Sequence, residues 1–272
     1  MKSFRNKTAV ITGAGSGLGR SLAVALNQAG AHLALCDLDL EGLQQTKELL
    51  PLQNSVVSLH PTDVADRDQM TAFAAAVIQK HGQVDILINN AGITLTPIPL
   101  EKISDEQFKK VIAVNMWGVY NGIQAFLPYL STQPEASVVT ISSLAGLVGL
   151  TGYAPYAMSK FAIRGLSESL AMEYAQTKLH FMVVHPGGIK TNLIKNAPNI
   201  NAQQQAAAHK TFTQVALLSP DKVAHRILKG IHRKRNRLIL GIDARIVYTI
   251  RRLFPQKYPQ ILNAIFSQMT FV

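Results

Sequence analysis

The sequence predicts an α/β domain in which a doubly wound, seven-stranded parallel sheet is flanked by helices. Three observations predict it. Short, largely apolar segments recur at about 8–12, 32–36, 55–59, 84–88, 136–141, 179–185 and 237–241, with helix-length stretches between them. The first, Thr-Ala-Val-Ile-Thr, is apolar without alternation, as a strand covered on both faces requires. A glycine-rich turn follows at once, and then an amphipathic run with Leu22, Ala23, Leu26 and Ala29 at helical spacing. With 272 residues and 47% hydrophobic content the chain can bury one sizeable core, and no linker, repeat or low-complexity block divides it. One domain is expected over 1–242, followed by a basic helical extension over 243–272.

The turn, Thr12-Gly13-Ala14-Gly15-Ser16-Gly17-Leu18-Gly19, lies where a strand feeds a helix. That order suits the pyrophosphate of a dinucleotide. Glycine lets the backbone bend tightly and approach with no Cβ in the way, and the helix N-terminus offers free N–H groups and the positive end of its dipole. Gly13, Ser16, Gly17, Leu18 and Gly19 are therefore cofactor-binding candidates, against the reading that glycines also mark ordinary tight turns. The second strand ends at Asp37, whose carboxylate can accept hydrogen bonds from both hydroxyls of an adenosine ribose and would repel a 2′-phosphate. No Lys or Arg lies in the turn or directly after Asp37, so NAD(H) is expected over NADP(H). The competing role for Asp37 or Asp39 is to cap the next helix, from about Glu41.

Val138 to Ile141 reads as another buried strand, with Ser142 and Ser143 at the carboxyl end where open α/β sheets bind ligands. Tyr156 and Lys160, four apart at the start of a helix running to about Lys178, share one face. A free tyrosine, with a pKa near ~10, is a poor base at neutral pH. A neighbouring ammonium and a positive nicotinamide ring are expected to lower it. The hydroxyl of Ser143, thirteen residues before Tyr156, can hold a substrate oxygen while hydride moves. Asn115 ends an apolar helical run (Phe108, Val111, Ile112, Val114), where a polar group is otherwise unwelcome.

With these motifs in this order, the chain resembles the short-chain dehydrogenase/reductase family from about Lys7 to Gly241. The resemblance implies a Rossmann-type fold and hydride transfer between a nicotinamide and an alcohol or carbonyl. It implies four catalytic residues, Asn115, Ser143, Tyr156 and Lys160, with Ser142 supporting the turn and the Asn115 carbonyl keeping a water chain to Lys160. Tyr153 is set aside, since Ala157 and not lysine lies four residues on. Implied cofactor contacts are Asp63 and Val64 at the adenine, the segment Asn89-Asn90-Ala91-Gly92 after strand four, Tyr156 and Lys160 themselves, and Pro186, Gly187, Ile189 and Thr191 around the nicotinamide. A lid over 192–219 is implied, with Ser143, Leu144, Tyr156, Gly187 and Leu193 meeting the substrate. Because Ile93, Leu95, Leu144, Leu147, Val148 and Leu193 are apolar, a hydrophobic alcohol or ketone is expected, steroid-like, retinoid-like or long-chain. A homodimer or homotetramer is implied, with helices at about 104–132 and 154–178 forming the dimer. Two alternatives stay open: a membrane-associated reductase of acyl-type carbonyls, and an idle NAD(H)-binding sensor or scaffold, which would not need the phenol.

The net charge of +11 is concentrated late in the chain: from Asp221 onward eleven Lys and Arg face only Asp221 and Asp243. After Gly241, residues Ile246, Val247, Ile250, Leu253 and Phe254 form an apolar helical face bordered by Arg245, Arg251 and Arg252. Pro255 and Pro259 interrupt it, and Ile261, Leu262, Ile265, Phe266 and Met269 form a second stripe. Such a tail packs on the body or a second subunit, or lies on an anionic membrane surface. Few aromatics interleave the charges, so no nucleic acid is expected. The single cysteine, Cys36, excludes an internal disulfide and points to core packing and a reducing cytoplasm, with peripheral contact at the inner membrane surface left open by the tail. The eight histidines show no metal-ligand spacing, so no metal is expected. The short lead-in to the first strand leaves no room for a signal peptide, and no apolar run is long enough for a membrane span.

Overall fold

The computed structural model describes residues 1–52, 54–191, 193, 197 and 218–266. Its strands are β1 (Thr8–Thr12), β2 (His32–Asp37), β3 (Val57–Pro61), β4 (Ile86–Asn89), β5 (Ala136–Ile141), β6 (Leu179–Pro186) and β7 (Arg237–Leu240). They form one parallel sheet in the order β3-β2-β1-β4-β5-β6-β7. All seven expected segments are strands, with no end displaced by more than two residues. From β1 the chain steps outward through β2 and β3, then crosses back to place β4 on the other side of β1. That reversal opens a crevice at the carboxyl ends of β1 and β4.

The helices are α1 (Gly17–Gln28), α2 (Leu40–Glu48), α3 (Arg67–His81), α4 (Asp105–Ile112), α5 (Gly118–Ser131), α6 (Ala154–Glu173), α7 (Pro220–His232), α8 (Ile242–Leu253) and α9 (Tyr258–Phe266). Strand side chains alternate between faces, so Ile11 joins Leu22, Leu26 and Ile227 under α1 and α7, whereas Val10 joins Phe73, Phe126 and Ile163 under α3, α5 and α6. Cys36 is buried in the second layer, and burial pushes its thiol up to about 12, so it is an inert filler there.

Two helices differ from expectation. α6 stops at Glu173 instead of near Lys178. The Thr177 hydroxyl donates to the Tyr174 carbonyl (2.9 Å) and accepts from the Leu179 N–H (3.1 Å), a local alternative to helical bonding. The run at 104–132 is not continuous, because a π-helical turn over Ala113–Trp117 separates α4 from α5. Gly118 N–H reaches back to the Ala113 carbonyl, and the widened turn carries Asn115 in a fully buried position.

The C-terminal helices lie against the loop that follows β5. Val247 and Leu262 pack on Val148 in a small third core, while Ile242, Ile246 and Leu253 on the opposite side of α8 are exposed. The stretch over 192–219 expected to form a lid lies outside the described residues except for Leu193, Ala197, Leu218 and Ser219, and so does Met269 of the second apolar stripe. Among the described residues no helix is long and apolar enough to cross a membrane.

Candidate active site

A cleft of about 460 Å³ follows the carboxyl ends of the strands. Asp37, Asp63 and Val64 line one end; Gly13, Ser16, Gly17 and Leu18 line the middle, opposite Asn90, Ala91 and Gly92. Ser143, Leu144, Tyr156, Lys160, Pro186, Gly187, Ile189, Thr191 and Leu193 line the other end. Of the catalytic and cofactor-binding residues expected from the sequence, Gly19, Asn89 and Asn115 stand behind the wall. Gly19 is there for packing, since a Cβ would collide with the Gly13 carbonyl.

The glycine turn is built to come close to its neighbours. Gly13 takes φ +67°, and a Cβ on it would lie 2.8 Å from the Ala91 Cα. The Asn90 amide donates to the Thr12 and Gly13 carbonyls (2.9 and 3.0 Å), while the Thr12 hydroxyl accepts from the Asn90 and Ala91 N–H groups. These bonds fasten the turn to the β4 loop. Ser16 is extended and its side chain does not cap α1, which leaves the first-turn N–H groups for a ligand.

At the far end the two aspartates divide the roles left open by the sequence. Asp39 caps α2, accepting from Gly42 N–H at 3.0 Å. Asp37 accepts from Gly15 N–H (2.8 Å) and Asp39 N–H (3.1 Å) at the edge of the cleft. Arg20 was not singled out by sequence reasoning. It bridges α1 to α2 through the Thr46 hydroxyl (3.0 Å), the Gln45 amide oxygen (3.1 Å) and the Gly15 and Gly42 carbonyls, so its donors are engaged by the protein.

At the other end, the Ser143 hydroxyl accepts from the Ala145 N–H at 3.1 Å and lies beside the Tyr156 phenol. Lys160, 4% exposed, donates to the Ile141 carbonyl at 3.0 Å and lies 5.6 Å from the centre of the Tyr156 ring. The Ser142 hydroxyl donates to the Lys160 carbonyl (3.0 Å), which is a supporting position. Asn115 accepts from Ile93 N–H and donates to the Ile93 carbonyl, both at 2.8 Å, and also donates to the Ser159 hydroxyl (3.1 Å). It thereby ties the turn after β4 to α6.

Among the protein's own groups Lys160 does not supply the lowering expected of the Tyr156 pKa from ammonium and nicotinamide together. Burial raises the phenol, and the neighbouring Ser143 hydroxyl only partly opposes it. Counting charges alone overlooks desolvation: the same burial brings Lys160 down to about 8, and its N–H is directed at a carbonyl. Tyr153, set aside in the sequence, also lines the cleft, its phenol pushed up to about 12 by burial and its ring 6.4 Å from that of Tyr156. Among the apolar candidates, Ile93, Leu144 and Leu193 line the cleft, but Leu95, Leu147 and Val148 are fully buried and belong to the core.

His185 was missed, because a lone histidine in a strand carries no signal. It is fully buried in β6, and its Nδ1–H donates to the Ser143 carbonyl at 3.0 Å. Burial holds its pKa down at about 4, with Arg164 and Arg237 acting in the same direction and Glu168 against it.

A family model described as short chain dehydrogenase matches residues 7–202. The SadH protein of Mycobacterium tuberculosis is 38% identical over 267 residues, covering 97% of this chain and 96% of that protein. A short chain dehydrogenase/reductase from Burkholderia phymatum, solved in complex with NAD, superimposes with a TM-score of 0.85 at 28% identity, over 93% of this chain and 95% of that one. An alcohol dehydrogenase from Thermococcus sibiricus complexed with 5-hydroxy-NADP gives a TM-score of 0.74 at 28% identity, over 86% and 95% of the two chains. The chain belongs to the short-chain dehydrogenase/reductase family of oxidoreductases.

Because His185 resists protonation in the fold, the unfolded chain takes up that proton first as pH falls. Stability is therefore expected to drop from about pH 6.5 toward about pH 4 and then to level off for this group. His185→Phe removes the linkage, so its melting temperature should fall less than that of the parent between about pH 7 and pH 5. His81, also held down to about 4, and His60 and His180, both lowered by burial, supply the part that remains. Identical slopes for the two proteins would reject the assignment.

Proposed function

We propose that the protein is an NAD(H)-dependent oxidoreductase that moves hydride between nicotinamide and a hydrophobic secondary alcohol or ketone, steroid-like, retinoid-like or long-chain. The observation that supports this best is the convergence of Ser143, Tyr156 and Lys160 at one end of a cleft whose other end presents the Asp37 carboxylate. In this scheme Tyr156 is the general acid/base and gives or takes the proton of the substrate oxygen, while the Ser143 hydroxyl holds that oxygen. Lys160 is the cation behind the phenol, and Asn115 keeps the Ile93 turn and α6 in register. Held at the Gly187 end of the cleft, a nicotinamide would supply the hydride chemistry and, when oxidised, a positive charge that favours the phenolate. Ile93, Leu144, Leu150 and Leu193 give the substrate end an apolar wall.

Tyr156→Phe keeps the ring and deletes the proton donor. Turnover is expected to fall by about 10²–10⁴-fold while NADH still binds, read by steady-state kinetics and NADH fluorescence. Undiminished turnover would disprove the scheme. For the cofactor, the support is the Asp37 carboxylate, which Asp39 releases from capping. A preference for NAD over NADP of at least about tenfold in kcat/KM is expected, the ratio that ~1.4 kcal/mol of like-charge repulsion gives, and Asp37→Ala should narrow it. A parent enzyme that prefers NADP would reject this choice.

One further observation bears on partners. On α8 the exposed Ile242, Ile246 and Leu253 lie beside Arg245 and Arg252, an apolar stripe with a cationic border. We read it as a peripheral contact for anionic membrane. The protein should sediment with anionic vesicles, and Ile246→Asp should lose that retention; equal behaviour with neutral vesicles would count against it. The apolar groove between α5 and α6, where Trp117 is half exposed, supports the homodimer that the family resemblance implies.

A further inference from the structure

Two loops of the cleft each take a hydrogen bond from the same C-terminal helix. The carboxylate of Asp243, in the first turn of α8, accepts from the Gly188 N–H at 2.8 Å. About two turns later, the guanidinium of Arg251 donates to the Leu147 carbonyl. Gly188 lies just past the end of β6, and Leu147 just past the short 3₁₀ turn Leu144–Gly146 that follows Ser143. One helix thus holds the backbone on both sides of the reacting end.

The fit of Asp243 is close enough to constrain the sequence around it. A Cβ on Gly187 or on Gly241 would collide with its carboxylate, and Gly241 takes φ +103°, a conformation open to glycine. A glycine on each side makes room for one charged group. Its second oxygen, Oδ1, is buried with no hydrogen-bond partner among the described residues. Leaving a carboxylate oxygen unpaired is costly, and packing alone would be served as well by a small apolar side chain. Arg251 is fixed as firmly: its guanidinium lies 5.3 Å from the ring centre of Phe161, next in the chain to Lys160, and 5.9 Å from that of Tyr258 in α9.

We propose that α8 is a brace for the active site, with Asp243 a positioning residue for the nicotinamide-side loop Gly187-Gly188 and Arg251 a positioning residue for the substrate-side loop Leu144–Leu147. The assignment of the two sides rests on the function proposed above. Neither side chain lines the cleft; each acts through the backbone it holds. The two contacts consequently serve different ligands, and losing one should not mimic losing the other.

The test uses the full chain and its Asp243→Ala, Asp243→Asn and Arg251→Met variants. The readouts are NADH titration by fluorescence, hydrogen–deuterium exchange of peptides covering 143–150 and 186–191, and steady-state kinetics on an alcohol the parent oxidises. Asp243→Ala should weaken NADH binding about tenfold and speed exchange in 186–191 only. Asp243→Asn, which keeps an acceptor for the Gly188 N–H, should recover most of both. Arg251→Met should leave NADH binding within about twofold, speed exchange in 143–150 only, and raise KM by more than it lowers kcat. Exchange that rises equally in both loops in either variant, or a lowered melting temperature with no change in binding, exchange or KM, overturns the brace. A parent protein that fails to bind NADH overturns the proposed function instead, and the exchange pattern still decides whether α8 holds the loops.

Discussion

Lys160 is an ammonium that the fold keeps out of water, and much of the site follows from what that burial demands. Stranded in an apolar interior the charge would be strongly disfavoured. The Ile141 carbonyl at the end of β5 accepts from it at 3.0 Å, and the Tyr156 ring lies within 5.6 Å. Gly92 is small for the same reason, since a Cβ there would come within 3.3 Å of the Lys160 Nζ and 3.2 Å of the Asn115 amide oxygen. The last glycine of the Asn-Asn-Ala-Gly segment therefore leaves space for an ammonium and an amide, in addition to any role toward a cofactor.

Around that pair, buried polar side chains hold backbone. Asn115 closes a pair of hydrogen bonds on Ile93, Ser142 closes on the Lys160 carbonyl, and His185 holds the Ser143 carbonyl from below. Each joins segments that the sheet alone would leave independent, because loops at strand ends have no ladder partners. The π-helical turn belongs to the same set. Without its widened geometry the side chain of Asn115 would fall at a different angle around the α4–α5 axis, away from Ile93.

What the sequence made legible is what depends on near neighbours. Short apolar runs marked the strands, the glycine turn marked the crevice, and the four-residue step from Tyr156 to Lys160 set both on one helical face. Which aspartate caps α2 was open until the backbone placed Asp39, not Asp37, over Gly42 N–H. The unread features join residues far apart: His185 with Ser143 across 42 positions, Asp243 with Gly188 across 55, and Arg251 with Leu147 across 104. No periodicity reports such pairs. Apolar identity likewise could not separate Leu144, which faces the cleft, from Leu147 and Val148, which a single 3₁₀ turn sends into the core.

The Tyr156 pKa shows what counting charges leaves out, and the omission has a chemical consequence. In water a lysine holds its proton slightly more firmly than a tyrosine. Inside this fold burial disfavours the charged form of both, which raises the phenol and lowers the ammonium to about 8, so the order is inverted. The protein alone therefore keeps Tyr156 protonated, the state suited to donating to a carbonyl oxygen. In the function proposed above, alcohol oxidation needs the phenolate, and an oxidised nicotinamide held at that end of the cleft would favour it. The Ile141 carbonyl, by accepting from the Lys160 Nζ, works against that same burial and supports the charge that favours a phenolate beside it.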